Sequence, residues 1–312
     1  MGKIMERGEC LPAELRFEGE FGAEINSFLP FVHWLWANGE LGGRRVVSYR
    51  GMTPFYAFLP LEQLICSDEP RRYVKPEDRP PWLPTRDDHA ARGSDFEFFP
   101  DYRELYSNDF FAGEKPLLVL HNKYCVEWGG PPVNFLPAEL IAETLATLSD
   151  EFRIVYSRPG IAPPGEDYSA DHQPDHDLGE REILAAFPEV VIFEDLAADM
   201  AGIYGYNELK LMLYASAYFH ITVQGGNAHL AALFGGSLML IYHRMGQELR
   251  HSYRTGHFAY AAEPAPSLLI ARDAEQFSEA LPLFGRARLV DGRVRLDPED
   301  AAWAERFAPQ ES

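Results

Sequence analysis

The chain has 312 residues, 46% of them hydrophobic and 13% aromatic, which excludes a disordered polypeptide and leaves room for two globular domains. With 28 basic and 48 acidic residues its net charge is −20, so we expect no nucleic-acid partner and, at most, a local basic pocket for an anionic ligand. No apolar run reaches about 18 residues, and the N-terminus lacks the apolar core of a signal peptide. Three scattered cysteines, Cys10, Cys66 and Cys125, form no C-x-x-C pair. These features predict a cytoplasmic protein without an integral membrane segment.

The first part of the chain, residues 15–60, has the pattern of an α/β unit. LRFEGEF predicts a strand that leads into a glycine turn, and apolar residues at helical spacing predict a helix from about Ala23 to Asn38. Pro30 lies inside this helix and predicts a kink or a later start. RRVVSY and QLICS predict two further strands, with a short helix in GMTPFYAFL between them.

A segment rich in proline and charge follows at residues 67–116. It also contains more aromatic residues than a disordered linker would: Tyr73, Trp82, Phe96, Phe98, Phe99, Tyr102 and Tyr106. We expect an irregular segment that packs against the folded parts, with the link between two domains near residues 107–116.

From Leu117 onward, strands and helices alternate, which predicts a parallel sheet with helices on both faces. The predicted strands are LLVLH, RIVYS, VVIFED, FHITV, SLMLIYH and LLIAR. Pro137 and the Asp297-Pro298 pair mark helix starts, Asp273 is expected to cap a helix that runs to Leu283, and GEREILAAF predicts another helix. We therefore expect an N-terminal domain over residues 1–112, a Rossmann-like domain over residues 113–290 and a C-terminal helix in residues 291–312.

The most regular stretch, residues 206–243, has the sequence YNELKLMLYASAYFHITVQGGNAHLAALFGGSLMLIYH. It predicts a helix, a buried strand FHITV, a turn through Gln224-Gly225-Gly226-Asn227, a helix from Ala228 to Phe234 and another strand. A strand, a glycine turn and a helix N-terminus together form an anion site, because glycine lets a ligand approach the backbone and the free N–H groups attract negative charge. The alternative is that Gly225 and Gly226 only make the tight turn.

This stretch resembles the donor-binding half of glycosyltransferases with the GT-B fold, most closely those of the heptosyltransferase type. The matching residues are Ala217–Val223, Gly225-Gly226-Asn227, His229-Leu230-Ala231-Ala232 and Gly235. Gln-Gly-Gly-Asn replaces the usual acidic-serine-glycine loop, which leaves the sugar and the nucleotide open. LLVLHNKY is more weakly similar to GT-B fucosyltransferases, which place a histidine and an arginine against a nucleotide diphosphate; Lys123 would be the cation here.

The resemblance implies a GT-B-like α/β protein of two Rossmann-like domains whose parallel sheets face a cleft. Ligands of open α/β sheets bind at the carboxyl ends of the strands. The donor-binding residues expected there are His121, Lys123, Arg158, Asn207, Glu208, Gln224, Gly225, Gly226, Asn227, His229 and His243.

Three of these residues have specific expected roles and alternatives. His229 is expected to donate to a phosphate oxygen, although it could instead cap or pack its own helix. Lys123 is expected to offset charge on the leaving diphosphate, or else to be a solvated loop lysine. Glu208 is placed to accept from a ribose or sugar hydroxyl. Gly226→Val is expected to abolish nucleotide binding with little change in folding.

The turn EGEFGAE offers candidates for the catalytic base. An inverting transferase needs a carboxylate to take the proton from the attacking hydroxyl, and in heptosyltransferase-like enzymes it lies near the first strand-to-helix turn. Glu20 is the first candidate and Glu24 the second. The alternative is that these carboxylates only interact favourably with the helix dipole.

No metal site and no cofactor are expected. His172 and His176 stand four residues apart in an acidic loop, but Pro174 between them prevents a regular helix, so the spacing does not place both imidazoles on one face. A solvated acidic loop is the favoured interpretation.

These features together indicate a cytoplasmic, metal-independent glycosyltransferase of the hexosyl or heptosyl type in polysaccharide biosynthesis. Its partners would be a nucleotide-sugar donor and a glycan or lipid-linked acceptor. The alternatives are a GT-B-shaped sugar-nucleotide epimerase or pyruvyl transferase, and a non-catalytic nucleotide- or sugar-binding protein. The sugar, the base, the acceptor, the stereochemistry and the oligomeric state stay open.

Overall fold

Two parallel sheets organise the protein. The computed structural model describes residues 11–72, 74–75, 78–84, 99–124, 132–159, 161, 178–244, 253 and 256–309, and every structural statement below concerns these residues. The strands are β1 (Glu14–Arg16), β2 (Arg45–Tyr49), β3 (Leu64–Ser67), β4 (Leu117–His121), β5 (Arg153–Ser157), β6 (Val191–Ile192), β7 (Phe219–Val223), β8 (Leu238–Tyr242), β9 (Ser267–Ala271), β10 (Arg288–Val290) and β11 (Arg293–Arg295).

The larger sheet has six parallel strands in the spatial order β6-β5-β4-β7-β8-β9. Counted along the chain within this sheet, the order is 3-2-1-4-5-6, the Rossmann arrangement. The winding direction reverses between β4 and β7, so a crevice opens at their carboxyl ends. The smaller sheet, β1-β2-β3, is also parallel. The expected α/β class with two parallel sheets is confirmed.

Helices cover both faces of the larger sheet, because its central strands are apolar and buried along their whole length. The α-helices are α1 (Phe21–Ala23), α2 (Leu29–Ala37), α3 (Tyr102–Leu105), α4 (Ala138–Leu148), α5 (Glu180–Ala185), α6 (Phe193–Asp199), α7 (Tyr206–Ser216), α8 (Gly226–Ala232), α9 (His257–Tyr260), α10 (Ala274–Ala280), α11 (Pro282–Arg286) and α12 (Pro298–Ala304). One face packs on α4, α10 and α11, and the other on α6, α7 and α8.

The helix after β1 is continuous but irregular. A π-helical turn, Glu24–Phe28, joins α1 to α2, and Pro30 follows at the start of α2. Proline has no N–H for the helical ladder, so the wider turn before it carries the chain into α2. The kink predicted from Pro30 corresponds to this π turn.

Several sequence predictions need correction. VVIFED was expected to be one strand, but β6 ends at Ile192 and Phe193 begins α6, because the chain turns there to bury the Phe193 ring. The hairpin β10–β11 was not predicted, and it crosses the expected domain boundary at residue 290. Helix α3 lies in the segment 67–116 that was expected to be irregular, and α9 was not predicted. The Asp273 cap is confirmed, since its carboxylate accepts from Gln276 N–H at 2.9 Å.

One face of the larger sheet shares an apolar core with the smaller sheet, and the opposite face has a separate core. The first unit is the N-terminal part of the chain that carries β1–β3. Its buried residues, such as Leu15 and Phe55, belong to the same cluster as Leu209 of α7 and Leu230 of α8. Thus α7 and α8 are sandwiched between the larger sheet and the N-terminal unit. In the part of the chain that the structure describes, no helix is long and apolar enough to cross a membrane.

Candidate active site at the carboxyl ends of β4 and β7

The glycine turn after β7 lies beside the end of β4, at the point where the sheet reverses its winding. Gly225 has φ +147°, a conformation that glycine adopts readily and other residues rarely do. The Lys123 side chain runs along it, with Nζ 3.2 Å from the position a Cβ atom would take. The missing side chain therefore makes room for a cation against the loop, in the crevice where such sheets bind ligands.

A row of polar side chains lies on the α6/α7 side of the sheet next to this crevice. Ser157 and His121 are paired in register at the ends of β5 and β4. Ser157 Oγ donates to Glu194 Oε1 of α6 at 2.9 Å, and Tyr206 OH of α7 donates to the same oxygen at 3.3 Å. Lys210 Nζ, one helical turn after Tyr206, is 5.6 Å from the centroid of the Tyr206 ring.

Burial shifts the titration of this polar row. Burial, and then the charges of Lys210 and Lys123, hold the pKa of His121 well below its usual range, so its imidazole is neutral. Burial raises the pKa of Glu194, although hydrogen bonds and Lys210 oppose that shift. Burial lowers the pKa of Lys210 to about 8, and the negative charge of Glu194 opposes it.

Two asparagines, Asn122 and Asn134, hydrogen-bond near the two ends of the β4–α4 loop. Asn122 Oδ1 accepts from the Leu136 N–H at 2.8 Å, and its Nδ2 donates to the Leu136 carbonyl at 2.9 Å. Asn134 Oδ1 accepts from the Arg244 N–H at 3.0 Å, and its Nδ2 lies 3.5 Å from Gln224 Oε1. Gln224 is thereby held in the ring of loops that borders the crevice.

The first unit contacts the glycine turn directly. A Cβ atom on Gly226 would lie 2.8 Å from Phe21 Cδ1 and 3.1 Å from Gly22 N. The starts of α8 and α1 therefore meet backbone to backbone. Gly226→Val was expected to change folding little, but its Cβ alone would lie 2.8 Å from Phe21 Cδ1 and 3.1 Å from Gly22 N, so this expectation is wrong. A loss of nucleotide binding in that variant could therefore come from the disturbed contact rather than from a blocked phosphate site.

Glu20 and Glu24 differ sharply in environment. Glu20 is exposed and immediately precedes α1, one residue before the contact with Gly226. Glu24 is 0% exposed, and its carboxylate accepts from Ser48 Oγ, from Tyr56 OH at 2.7 Å and from Arg71 Nη2 at 2.7 Å. Both oxygens of this buried carboxylate accept hydrogen bonds from within the first unit, so we assign Glu24 a structural role.

Arg71 also fixes the turn that presents Glu20. Its guanidinium lies 4.2 Å from the centroid of the Tyr49 ring, and its Nη1 is 3.4 Å from the Gly19 carbonyl. The Gly19 N–H donates to Tyr49 OH at 3.0 Å. The turn before α1 is therefore held from both sides by buried groups.

The remaining predicted site residues divide into three sets. Beside the crevice lie Lys123, Gln224 and Asn227, and the Oδ1 atom of Asn227 has no hydrogen-bond partner among the described residues. His229 and His243 are buried: the His229 ring packs 5.2 Å from the Phe258 ring, and His243 Nδ1 is 3.0 Å from Tyr253 OH.

Three predicted residues are engaged elsewhere. Arg158 forms a buried ion pair with Glu180 on the opposite side of β5, away from His121. Asn207 Nδ2 donates to the Gly51 carbonyl at 2.8 Å, joining α7 to the first unit. Glu208 accepts from the Gly205 N–H at 3.4 Å and so caps its own helix.

Sequence reasoning missed Lys210, Glu194 and Arg71. Lys210 lies four residues after Tyr206 and three before Leu213, on the same apolar face of α7. A charged residue on that face was the available signal. Glu194 was assigned to a strand, which hid its position on α6. Arg71 lies in the segment rich in proline and charge, where nothing in the sequence distinguishes it from its neighbours.

Metal ligands were expected to be absent from the site. Among the described residues, no group of three or more His, Cys, Asp or Glu side chains is arranged to hold a metal ion. His172, His176 and the acidic loop around them lie outside the described residues.

The fold and the site define a class: an α/β protein with a Rossmann-type sheet, a second parallel sheet and a cation-bearing crevice at the switch point. No family model matches the chain, and no curated protein matches it significantly.

Solved structures of the wall teichoic acid polymerase TagF are similar to the chain. The match to the structure of the H548A variant covers 85% of this chain and 53% of the TagF chain, at 11% identity and a TM-score of 0.31. Another, of a variant soaked with CDPG, covers 84% and 50% at 12% identity and a TM-score of 0.32. The chain thus spans about half the length of the structures it matches. At TM-scores this low the similarity carries no argument about activity.

Proposed function

We propose that the protein is a glycosyltransferase that moves a sugar from a nucleotide-sugar donor to a hydroxyl of a glycan or lipid-linked acceptor. The observation that carries the proposal is the position of Lys123 against Gly225 in the switch-point crevice. A cation and a partly exposed glycine backbone at this place in a Rossmann-type sheet suit a diphosphate, although the net charge of the chain is −20.

The reaction assigns separate tasks to the two units. The acceptor hydroxyl attacks the anomeric carbon, the bond from that carbon to the phosphate oxygen breaks, and the nucleoside diphosphate leaves with the electron pair. Lys123 offsets the charge that develops on the leaving oxygen, which is why no metal ion is needed in this proposal. Glu20 accepts the hydroxyl proton as the base. The sequence resemblance to heptosyltransferases supports a hexosyl or heptosyl group.

Ligand-induced stabilisation tests the nucleotide site. We expect one or more nucleoside diphosphates to raise the melting temperature, because a ligand at 100 times its dissociation constant adds about 2.7 kcal/mol to the free energy of unfolding. Lys123→Ala should reduce that effect, whereas Lys115→Ala, an exposed lysine before β4, should not. No stabilisation by any nucleoside diphosphate or nucleotide sugar would refute the proposal.

Product analysis separates the candidate activities. With a labelled nucleotide sugar, transfer of label to an acceptor in the presence of EDTA supports a metal-independent transferase. Conversion of the nucleotide sugar without transfer supports the epimerase. Binding without turnover supports the non-catalytic protein. Glu24 is held in structural hydrogen bonds, so if Glu20 is not a base either, neither predicted carboxylate is left to act as one.

A further inference from the structure

Lys210 carries an ammonium group in a place where such groups are rarely found. Its side chain is 2% exposed, on the face of α7 that covers the carboxyl ends of β4 and β5. Among the described residues its Nζ lies 5.6 Å from the centroid of the Tyr206 ring, and no hydrogen bond or ion pair to Nζ is seen. Taking an ammonium group largely out of water is costly unless an acceptor compensates, so a ligand that supplies an acceptor would be favoured.

The groups around Lys210 leave the crevice with an excess of positive charge. The described groups that interact with it are His121 at the end of β4, Glu194 on α6 and Tyr206 on its own helix, and Lys123 also acts electrostatically on His121. His121 is neutral, so the charges are those of two lysines and one glutamate. Glu194 does not neutralise both lysines, and its Oε1 is already occupied by Ser157 and Tyr206.

Two polar atoms in the same cluster also lack partners. His121 Nδ1 and Glu194 Oε2 are buried and have no hydrogen-bond partner among the described residues. Buried polar atoms are normally satisfied, so an unfilled cluster of this kind indicates a position for a polar ligand or water. A ligand with anionic oxygens would meet Lys210, and a hydroxyl group on the same ligand could donate to the Glu194 carboxylate.

We propose that Lys210 is a second cationic contact, beside Lys123, for the diphosphate of the nucleotide ligand. This inference rests on the proposed function. Lys210 belongs to the helix layer and Lys123 to the loop after β4, and both act electrostatically on His121, so a diphosphate beside His121 would be close to both cations. Before binding, Glu194 is the counter-charge of Lys210; on binding, the phosphate replaces it.

The pH dependence of binding distinguishes Lys210 from the other charged groups. Because burial lowers the pKa of Lys210 to about 8, its charge is lost as the pH rises through that value. His121 is already neutral there, and the phosphates are ionised above their second pKa of about 6. Diphosphate affinity should therefore fall as the pH rises through about 8.

Calorimetric titration with UDP, GDP, ADP and CDP tests the inference on the full chain, below and above about pH 8. Lys210→Met keeps most of the side-chain volume and removes the charge, so we expect diphosphate affinity to fall by roughly tenfold or more. The residual affinity should no longer decline through that pH range. Lys115→Met is the matched control, because Lys115 is exposed near the amino end of β4. The diphosphate affinity and pH profile of this variant should equal those of the wild type.

The outcomes separate this inference from the proposed function. A folded wild-type protein that binds none of the four nucleotides refutes both. If the wild type binds and Lys123→Ala weakens binding but Lys210→Met does not, Lys210 has only a structural role and the glycosyltransferase proposal stands. Should Lys210→Met fail to fold, the wild-type profile decides, because affinity that stays constant through about pH 8 contradicts the inference.

Discussion

Glu20 and Glu24 stand four residues apart, yet only one of them can change its protonation during a reaction without disturbing the fold. Glu24 is the counter-ion of buried Arg71, and that ion pair is 1% and 0% exposed. Glu20 is exposed beside the contact between the two units. The proposed base and a structural carboxylate are therefore separated by about one helical turn.

Glu20→Gln should lower turnover by roughly a hundredfold or more while donor binding and stability change little, because the amide cannot accept a proton. Steady-state kinetics with a nucleotide sugar and calorimetric donor binding would measure this. Glu24→Gln is expected to lower the free energy of unfolding by roughly 3–5 kcal/mol, since it leaves Arg71 buried without its partner. Wild-type turnover by Glu20→Gln would place the base elsewhere.

His220 provides a pH prediction at the residue scale. Burial, and then the charge of Arg103, lower its pKa to about 3. Between about pH 6.5 and about 3 the unfolded chain binds a proton that the folded protein does not, so stability falls as the pH falls. The expected slope for this group is about 1.4 kcal/mol per pH unit. Urea titrations of the wild type and of His220→Leu should show a shallower loss in the variant; equal slopes would contradict the assignment.

At the scale of elements, Arg103 of α3 holds the ends of two helices. Its guanidinium donates to the Ala215 and Ala217 carbonyls at the end of α7, at 2.6 and 3.0 Å. It also donates to the Phe234 and Gly235 carbonyls after α8, at 2.7 and 3.1 Å. These are carbonyls that a helix leaves without internal partners.

Arg103→Met should therefore lower the free energy of unfolding by roughly 3 kcal/mol or more, since several charge-assisted hydrogen bonds are lost together. Arg103→Lys should recover little of it, because an ammonium cannot reproduce the planar fork. Chemical denaturation would measure both. Arg306→Met is the control: its pair with Glu279 is exposed and should contribute less than about 1 kcal/mol.

The contact between α1 and α8 can be tested with a single methyl group. Gly226→Ala would place Cβ 2.8 Å from Phe21 Cδ1 and 3.1 Å from the Gly22 backbone, so the two turns must move apart. We expect a loss of stability and of any activity that needs both units. Gly43→Ala is the control, because nothing lies within 4 Å of its added Cβ. Wild-type stability in Gly226→Ala would show that the contact is loose.

The sequence predicted the elements whose pattern is local. LLVLH, RIVYS and FHITV become β4, β5 and β7 over the same residues, because each is an apolar run between polar loops. Tertiary contacts decide the rest: Phe193 leaves the expected strand to enter the core, and Glu24 is drawn inward by Arg71, 47 residues away. The crevice could be located from the strand ends, but the buried lysine on α7 could not be related to it.

At the scale of the whole molecule, the shared core ties the two units into one unfolding unit. Asn108 and Arg103, from the segment that links the units, both hydrogen-bond to α7 or its end. We expect denaturation to be a single transition by fluorescence and by circular dichroism alike. Two separated transitions would show that the units are independent domains, as the predicted boundary at residue 112 implies.

The same core also constrains how the chain can mature on the ribosome. The apolar residues of the first unit emerge early, but the helices that cover them, α7 and α8, are made more than a hundred residues later. Throughout that interval the nascent N-terminal part exposes surface that chaperones bind. Arrested nascent chains ending before Tyr206 should therefore be cut readily by protease, and chains extending well beyond Phe234 should resist. Early resistance would mean that the first unit closes its core alone.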